Sequence, residues 1–266
     1  MSKLEGVEAT MYIPLAARII VSERFPDYFC DRKAMSLKRD MPFDSIAEST
    51  TEYFAMAGAA RFHELDKIVT EFIRKNPECN VVNLGCGLET CYYRISPPET
   101  VKFYEVDLPG VIEQRKRALG SEDNDILVSG DMFTLNWTKK IDMSKPTLVT
   151  VIGVFQYFEE QKVAEFLRDL KDRACDCTVV FDAMSSGAMK AANKFVRKTG
   201  NSGAEILFST DDPEEFARSA GYTLIDSVPF FKDARTQLKW KLTLYTRIAM
   251  RLVDEGSKRS ALYVLE

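Results

Sequence analysis

From residue 80 onward, short apolar runs bounded by turn residues alternate with stretches whose apolar positions fall three and four apart. The short runs predict strands at Val81–Gly85, Val101–Asp107, Ile126–Ser129, Thr147–Gly153, Thr178–Phe181, Tyr222–Val228 and Leu262–Leu265. Between them the helical rhythm appears at 111–119 and again in Val163, Phe166, Leu167 and Leu170. Asp211-Asp212-Pro213 opens a further helix with an acidic cap and a first-turn proline, and Gly221 closes it. Alternation of this kind predicts an α/β fold with a mostly parallel sheet and helices on both faces. Upstream, Phe62, Leu65, Ile68, Val69 and Phe72 share one face of a helix over 52–75 that Pro77 stops. Residues 1–50 read as a leader: a helix with Pro14 near its first turn, a short helix over 31–38, and an extended link at Met41-Pro42-Phe43-Asp44. Residues 231–259 carry Leu242, Tyr245, Ile248, Ala249 and Leu252 at helical spacing among many Lys and Arg. They predict one inserted amphipathic helix before the last strand, its charges a solvated face. The division that follows is a helical leader or lid over 1–78 and an α/β core over 79–266.

The chemistry concentrates where the first strand ends. Leu84 runs into Gly85-Cys86-Gly87, and the second strand ends on Asp107, 20 positions after Gly87. A glycine turn after one strand and an acid at the end of the next are how a doubly wound domain takes a ribose-bearing cofactor. Gly85 permits the sharp turn, and Gly87 lets a ligand approach the backbone. A dinucleotide fingerprint places a third small residue where this chain has Thr90. A β-branched polar residue there argues against NAD and suits a cofactor without a diphosphate, such as S-adenosylmethionine; a dehydrogenase remains the fold-level rival.

Composition removes several other classes. The formal net charge is −4 and the pI near 5.4, so no basic bias points to nucleic acid or to an anionic membrane. No apolar run reaches the roughly 18 residues of a membrane span, and no signal peptide is recognisable, which predicts a cytoplasmic protein. Cys30, Cys79, Cys86, Cys91, Cys175 and Cys177 show no CxxC spacing and read as reduced thiols. With His63 the single histidine, no metal site is expected.

The run Asn83-Leu84-Gly85-Cys86-Gly87-Leu88-Glu89-Thr90, then Tyr93-Arg94 and Tyr104-Glu105-Val106-Asp107-Leu108-Pro109-Gly110-Val111-Ile112, resembles the leucine carboxyl methyltransferase family. It is most similar to the branch that includes the tetracenomycin-type polyketide O-methyltransferases. Ile13-Pro14-Leu15-Ala16-Ala17-Arg18, Asp31-Arg32-Lys33-Ala34, Arg61 with Asp66, Phe181-Asp182 and Asp212-Pro213-Glu214-Glu215 extend the resemblance over about residues 4–230. It implies a class I methyltransferase fold of seven strands that binds S-adenosylmethionine and methylates oxygen, typically of a carboxylate. By position it implies that Gly85, Cys86 and Gly87 pass the methionine part of the cofactor, that Arg61 pairs with its carboxylate, and that Asp107 and Leu108 meet the ribose. It also implies that Asp131 takes the adenine amino group, with Met132 against the ring. Plainer roles stay open: Arg61 paired with another acid, Asp131 as a turn cap, and the leader as packing rather than a lid.

Two positions depart from the family pattern. Cys91 stands where the family has Arg after Thr, and Ile152-Gly153-Val154 replaces Glu-Gly-Val; the 231–259 insert has no counterpart. A carboxylate acceptor is already ionised at neutral pH and needs no base, whereas a phenol usually does. The scarcity of histidine therefore favours a carboxylate, with His63 the only imidazole available as a base and Arg18, Lys33 and Tyr157 as groups to orient an anionic acceptor. A small-molecule acceptor is the leading expectation. A protein C-terminal carboxylate, reached through a partner or homodimer contact of the insert, and a non-catalytic cofactor-binding module are the alternatives.

Overall fold

The computed structural model describes residues 3–173, 177–198, 205–256 and 259–266; Cys175 and the insert residues 257–258 lie outside them. The strands are β1 (Asn80–Leu84), β2 (Lys102–Asp107), β3 (Asp125–Ser129), β4 (Thr147–Val151), β5 (Cys177–Met184), β6 (Leu224–Pro229) and β7 (Ser260–Leu265). They form one sheet in the order β3-β2-β1-β4-β5-β7-β6. The β1–β5 ladder is parallel, and only β7 runs against its neighbours β5 and β6. Every position of β1 and β4 is buried, as expected of parallel strands covered on both faces. Strand order reverses between β1 and β4, so the crevice for a ligand opens beyond their carboxyl ends.

One face of the sheet is covered by α7 (Glu160–Arg173), which turns Val163, Phe166, Leu167 and Leu170 inward, with the whole stripe buried. On the other face lies α4 (Glu52–Lys75), capped by Thr51, whose hydroxyl accepts from the Phe54 amide. Phe62, Leu65 and Val69 of α4 are buried against the sheet, while Ile68 and Phe72 are only half buried. Against α4 lies α1 (Lys3–Arg24), and the contact is close: a Cβ on Gly58 would stand 2.6 Å from that of Ala17. Between α1 and α4 come α2 (Arg32–Ser36) and α3 (Phe43–Ser49). The core elements that complete the chain are α5 (Cys91–Ile95), α6 (Pro109–Leu119), α8 (Ser186–Lys198) and α9 (Pro213–Ser219), followed by the insert helices α10 (Lys232–Gln237) and α11 (Leu244–Glu255).

Four local expectations need correction. Pro14 lies inside α1, not in its first turn, because the helix begins at Lys3. An interior proline costs about 3 kcal/mol, which the complete burial of Leu15, Ala16 and Ile19 offsets. Phe43, expected in an extended link, starts α3 once Pro42 has supplied the turn, and its ring is buried. The helix α8 was not anticipated. The insert is two helices rather than one: Leu238 and Leu242 are buried and pin the link between them, and Thr243 caps α11 by accepting from the Thr246 amide. Its apolar stripe, moreover, faces water, since Tyr245, Ile248 and Leu252 are all exposed.

The leader is fastened to the core by a buried ionic cluster. Arg94 of α5 holds Asp66 of α4 through two bonds of 2.7 Å, Glu89 at 2.8 Å and Asp31 at 3.1 Å. Arg18 of α1 reaches Asp31 at 3.2 Å, Glu89 at 3.3 Å and the Leu88 carbonyl at 2.7 Å. The Thr90 hydroxyl sits at the centre, donating to Asp31 at 2.5 Å and accepting from Arg18 and Arg94. Burial alone would push the Asp31 carboxyl up, but Arg18 and Arg94 outweigh it and hold it below its ordinary range. Asp31 also caps α2, accepting from the Ala34 amide at 2.8 Å.

Breaking a buried pair by removing one partner strands the other charges, a cost of about 3–5 kcal/mol, whereas an exposed pair contributes under about 1 kcal/mol. We therefore expect Arg94→Met to destabilise the chain by about 3–5 kcal/mol, lowering the midpoint by about 2–4 °C for each kcal/mol. Arg74→Ala removes a surface pair with Glu71 of similar length and should leave the midpoint within about 2 °C. Calorimetry of the two variants checks this, and equal shifts would contradict it.

Candidate active site

The carboxyl end of β1 is shaped by two residues in the left-handed region, Gly85 at φ 65° and Gly87 at φ 48°. The Gly85 amide donates to the Val106 carbonyl at 2.9 Å, which ties the turn to β2. A Cβ on Gly85 would come within 2.4 Å of Val154, so the loop after β4 closes directly against this turn. Gly87 has more room, its nearest neighbour being the Met11 side chain of α1 at 3.5 Å from where a Cβ would be. The leader thus overlies the glycine turn.

Asp107 ends β2 with both oxygens engaged by backbone: Oδ2 accepts from the Gly87 amide at 2.9 Å and Oδ1 from the Leu108 amide at 2.7 Å. Burial raises its carboxyl above the ordinary range, against the pull of the two amides. These bonds fix the carboxylate at the crevice and join the two strand ends that shape it. Leu108 beside it is exposed. At the end of β3, Asp131 accepts from the Phe133 amide at 2.9 Å through Oδ1, so the turn-capping role is real; Oδ2 has no partner among the described residues. Met132 is buried, and its carbonyl accepts from the Trp137 indole at 2.9 Å.

Arg61 of α4 completes the rim from the β5 side. Its Nη1 donates to Asp182 at 2.6 Å, and the other Asp182 oxygen accepts from the Gly153 amide at 2.6 Å. Gly153, at φ 73°, makes room for this: a Cβ there would lie 3.3 Å from the guanidinium. Arg61 Nε is buried without a hydrogen-bond partner. Tyr157, four residues beyond Gly153, is 39% exposed beside the β4 end. Arg61, Gly153, Val154, Gly85, Gly87 and Asp107 therefore form one continuous rim, and Asp131 extends it along the sheet.

Other residues singled out from the sequence go elsewhere. Arg18 is buried and spends its guanidinium on Asp31, Glu89, Thr90 and two carbonyls, so it has nothing left for an acceptor. Lys33 rests its ammonium over the Tyr93 ring at 4.4 Å from the centroid. His63 is two positions from Arg61 and therefore more than half a helical turn away around α4. It stacks on Tyr28 with centroids 4.4 Å apart and lies 3.3 Å from Asp233 of α10. Cys86 and Cys91 are buried, and burial pushes both thiols well up. Cys91 opens α5, its amide donating to the Glu89 carboxylate; the guanidinium of this segment comes from Arg94. Ile152 packs partly buried into the core beneath α4. Among the described residues, His63, Glu64 and Asp233 could converge on a metal, but the Lys67 ammonium lies there, 2.8 Å from Glu64 and 2.9 Å from Asp233.

Sequence reasoning missed Arg115 of α6. Fully buried, it donates to the carbonyls of Gly87 at 3.2 Å and Glu89 at 2.6 Å, holding the glycine turn from below. It also meets Glu105 at 3.1 Å and Asp125 at 3.9 Å. The signal was there in Glu105, an acid in the middle of an otherwise apolar strand, which needs a buried cation.

Comparisons with known proteins now bear on this rim. The model of the family described as leucine carboxyl methyltransferase matches residues 11–171. The chain belongs to the leucine carboxyl methyltransferase family. A relative is the tetracenomycin polyketide synthesis O-methyltransferase TcmP of Streptomyces glaucescens, 28% identical over 247 residues and 90% of each chain. Among solved structures, a candidate methyltransferase of Thermobifida fusca YX matches with a TM-score of 0.61 at 17% identity, covering 94% of this chain and 93% of that one. Magnesium protoporphyrin IX methyltransferase of Synechocystis PCC 6803, with bound S-adenosylhomocysteine, matches at 0.51 and 9%, covering 88% and 99%. The fold is the class I methyltransferase fold, and this leucine carboxyl methyltransferase relative is an S-adenosylmethionine-dependent methyltransferase. The dehydrogenase reading is set aside.

The rim fits that cofactor: a buried guanidinium nitrogen without a partner, a glycine whose Cβ would intrude on the crevice, and carboxylates at two successive strand ends. Glu105 and Asp125 share the cation of Arg115, and burial raises both; repulsion from Asp125 adds to the rise at Glu105, which reaches about 8, and repulsion from Glu122 and Glu89 adds to the rise at Asp125. A carboxyl raised in the fold contributes stability fully below the unfolded value near 4 and loses it as pH rises through about 8. Urea midpoints should therefore fall between about pH 5 and pH 9, and Asp125→Asn should flatten that slope by leaving Glu105 alone with Arg115. An unchanged slope in the variant would contradict the assignment.

Proposed function

We propose that the chain forms methyl esters, or methylates the oxygen of a polyketide-like compound, on a small-molecule acceptor that arrives already ionised, most simply a carboxylate. When bound, S-adenosylmethionine supplies an electrophilic methyl on a sulfonium. The task left to the chain is to hold an acceptor oxygen in line with that methyl and to exclude water. In this reading Arg61, through its free Nε, takes the cofactor carboxylate, a charge-assisted contact of about 1.5–3 kcal/mol. Gly85, Cys86 and Gly87 pass its methionine part; Asp107 and Leu108 take the ribose; Asp131 and Met132 take the adenine. Tyr157 stands at the open side, where it can orient an acceptor. The leader, with Met11 over Gly87, serves as the lid of the 1–78 segment over the 79–266 core.

The observation that carries the base-free reading is the position of His63. The only imidazole of the chain is committed to Tyr28 and Asp233 on the side of α4 away from Gly153. A carboxylate, with a pKa of about 4, needs no base, whereas a phenol near 10 does. A protein C-terminus is a carboxylate too, and the family's name makes it the second reading. No described helix is long and apolar enough to cross a membrane. Cys79, Cys86 and Cys91 are buried free thiols, which supports a reducing compartment, the cytoplasm.

The test is transfer of labelled methyl to panels of small carboxylic acids, phenols and peptides with free C-termini. We expect base-labile methyl esters of the small acids, with His63→Ala keeping more than about a tenth of the activity. Turnover confined to phenols and abolished in His63→Ala would contradict this reading. Turnover confined to peptides would favour the second.

A further inference from the structure

The ion pair of Arg61 and Asp182 holds more bonding capacity than it uses. Its side chains are 13% and 9% exposed. Asp182 spends one oxygen on Arg61 Nη1 and the other on the Gly153 amide, at 2.6 Å each. A carboxylate offers about four lone-pair sites, so each oxygen can take a second donor. Arg61 for its part keeps Nε buried and without a partner. Spare acceptor capacity and spare donor capacity, of opposite charge, therefore lie side by side on the rim.

The register of the sheet puts Asp182 there. The β4–β5 ladder pairs Val151 with Phe181, and one step further along it Asp182 stands level with Ile152. Ile152 takes the place of the Glu in the family pattern and packs into the core. The carboxylate at this level of the rim thus comes from β5. For the capture of a carboxylate alone, Asp182 would be a hindrance. It neutralises Arg61 and repels an arriving anion, and both effects are strong for side chains this far buried. For a group carrying one charge of each sign the same pair is a match: the guanidinium takes the carboxylate and the carboxylate takes the ammonium.

We propose that Asp182 takes the α-ammonium of the cofactor's methionine part, so that Arg61 and Asp182 together bind its zwitterion. The inference rests on Arg61 as the contact for the cofactor carboxylate and is independent of the methyl acceptor.

Titration calorimetry of two ligands against two proteins tests this, below the unfolding midpoint of each protein. The ligands are S-adenosylhomocysteine and its analogue with hydrogen in place of the α-ammonium, which keeps the carboxylate. The proteins are the natural chain and Asp182→Asn, whose side-chain carbonyl can still accept from the Gly153 amide. The natural chain should bind S-adenosylhomocysteine about ten- to a hundredfold more tightly than the analogue, the scale of a charge-assisted hydrogen bond. In Asp182→Asn that preference should shrink to within about twofold. A residue that only orients Arg61, or only holds the Gly153 loop, would weaken both ligands alike and leave the preference intact, and that result would overturn the proposal. Equal binding of the two ligands by the natural chain would overturn it without recourse to the variant. Failure of the natural chain to bind S-adenosylhomocysteine at all would overturn the cofactor contact of Arg61 and this inference with it.

Discussion

The hydroxyl of Thr90 is the point on which the site depends. Two guanidinium groups and three carboxylates converge around it, all but Asp66 buried, drawn from α1, the cap of α2, α4 and the segment after the glycine turn. None of these charges is tolerable alone in such surroundings, so each segment is bound to the presence of the others. The result is that the leader, which could have been a detached covering, shares its position with the loop that shapes the crevice. From the other side, Arg115 grips the carbonyls of Gly87 and Glu89. The turn is therefore clamped between two buried charge clusters. Preorganisation of this kind lets a loop present backbone to a ligand without collapsing onto it.

Much of this was legible in the sequence because the relevant physics is local. Seven strands follow from short apolar runs bounded by Gly, Pro and Asp, and the glycine turn with Asp107 follows from steric demands at a strand end. Thr90 was read for the wrong reason. Its size does exclude the small-residue packing of a dinucleotide loop, but its work is to anchor an ionic cluster whose members lie up to 72 positions away. Arg18 went astray likewise: a lone arginine in an apolar helix could face a ligand or a buried acid, and Asp31 and Glu89 became its neighbours only through folding. His63 shows the reverse case. Helical geometry alone separates it from Arg61, which the sequence could have told.

The insert marks the limit of periodicity as a guide. Apolar residues at helical spacing announce a stripe but not the direction it faces, and the stripe of α11 faces out because Thr246 and Met250, not the larger residues, meet α4 and the core. The six-residue link from α10 to α11, pinned by the buried Leu238 and Leu242, sets that rotation. Departures from the family pattern are likewise absorbed by packing: Cys91 and Ile152 both go into buried surroundings, and the charge near the glycine turn is carried by Arg94.

The central claim, that the rim from Arg61 to Asp107 is a pocket for S-adenosylmethionine, is tested most directly by thermal unfolding with S-adenosylhomocysteine and with NAD. Ligand at 100 times its dissociation constant adds about 2.7 kcal/mol, and each kcal/mol moves the midpoint of a chain this size by about 2–4 °C. The account predicts a rise of several degrees with S-adenosylhomocysteine, none with NAD, and loss of the rise in Asp107→Ala. No rise with S-adenosylhomocysteine, or the same rise in Asp107→Ala, would contradict it.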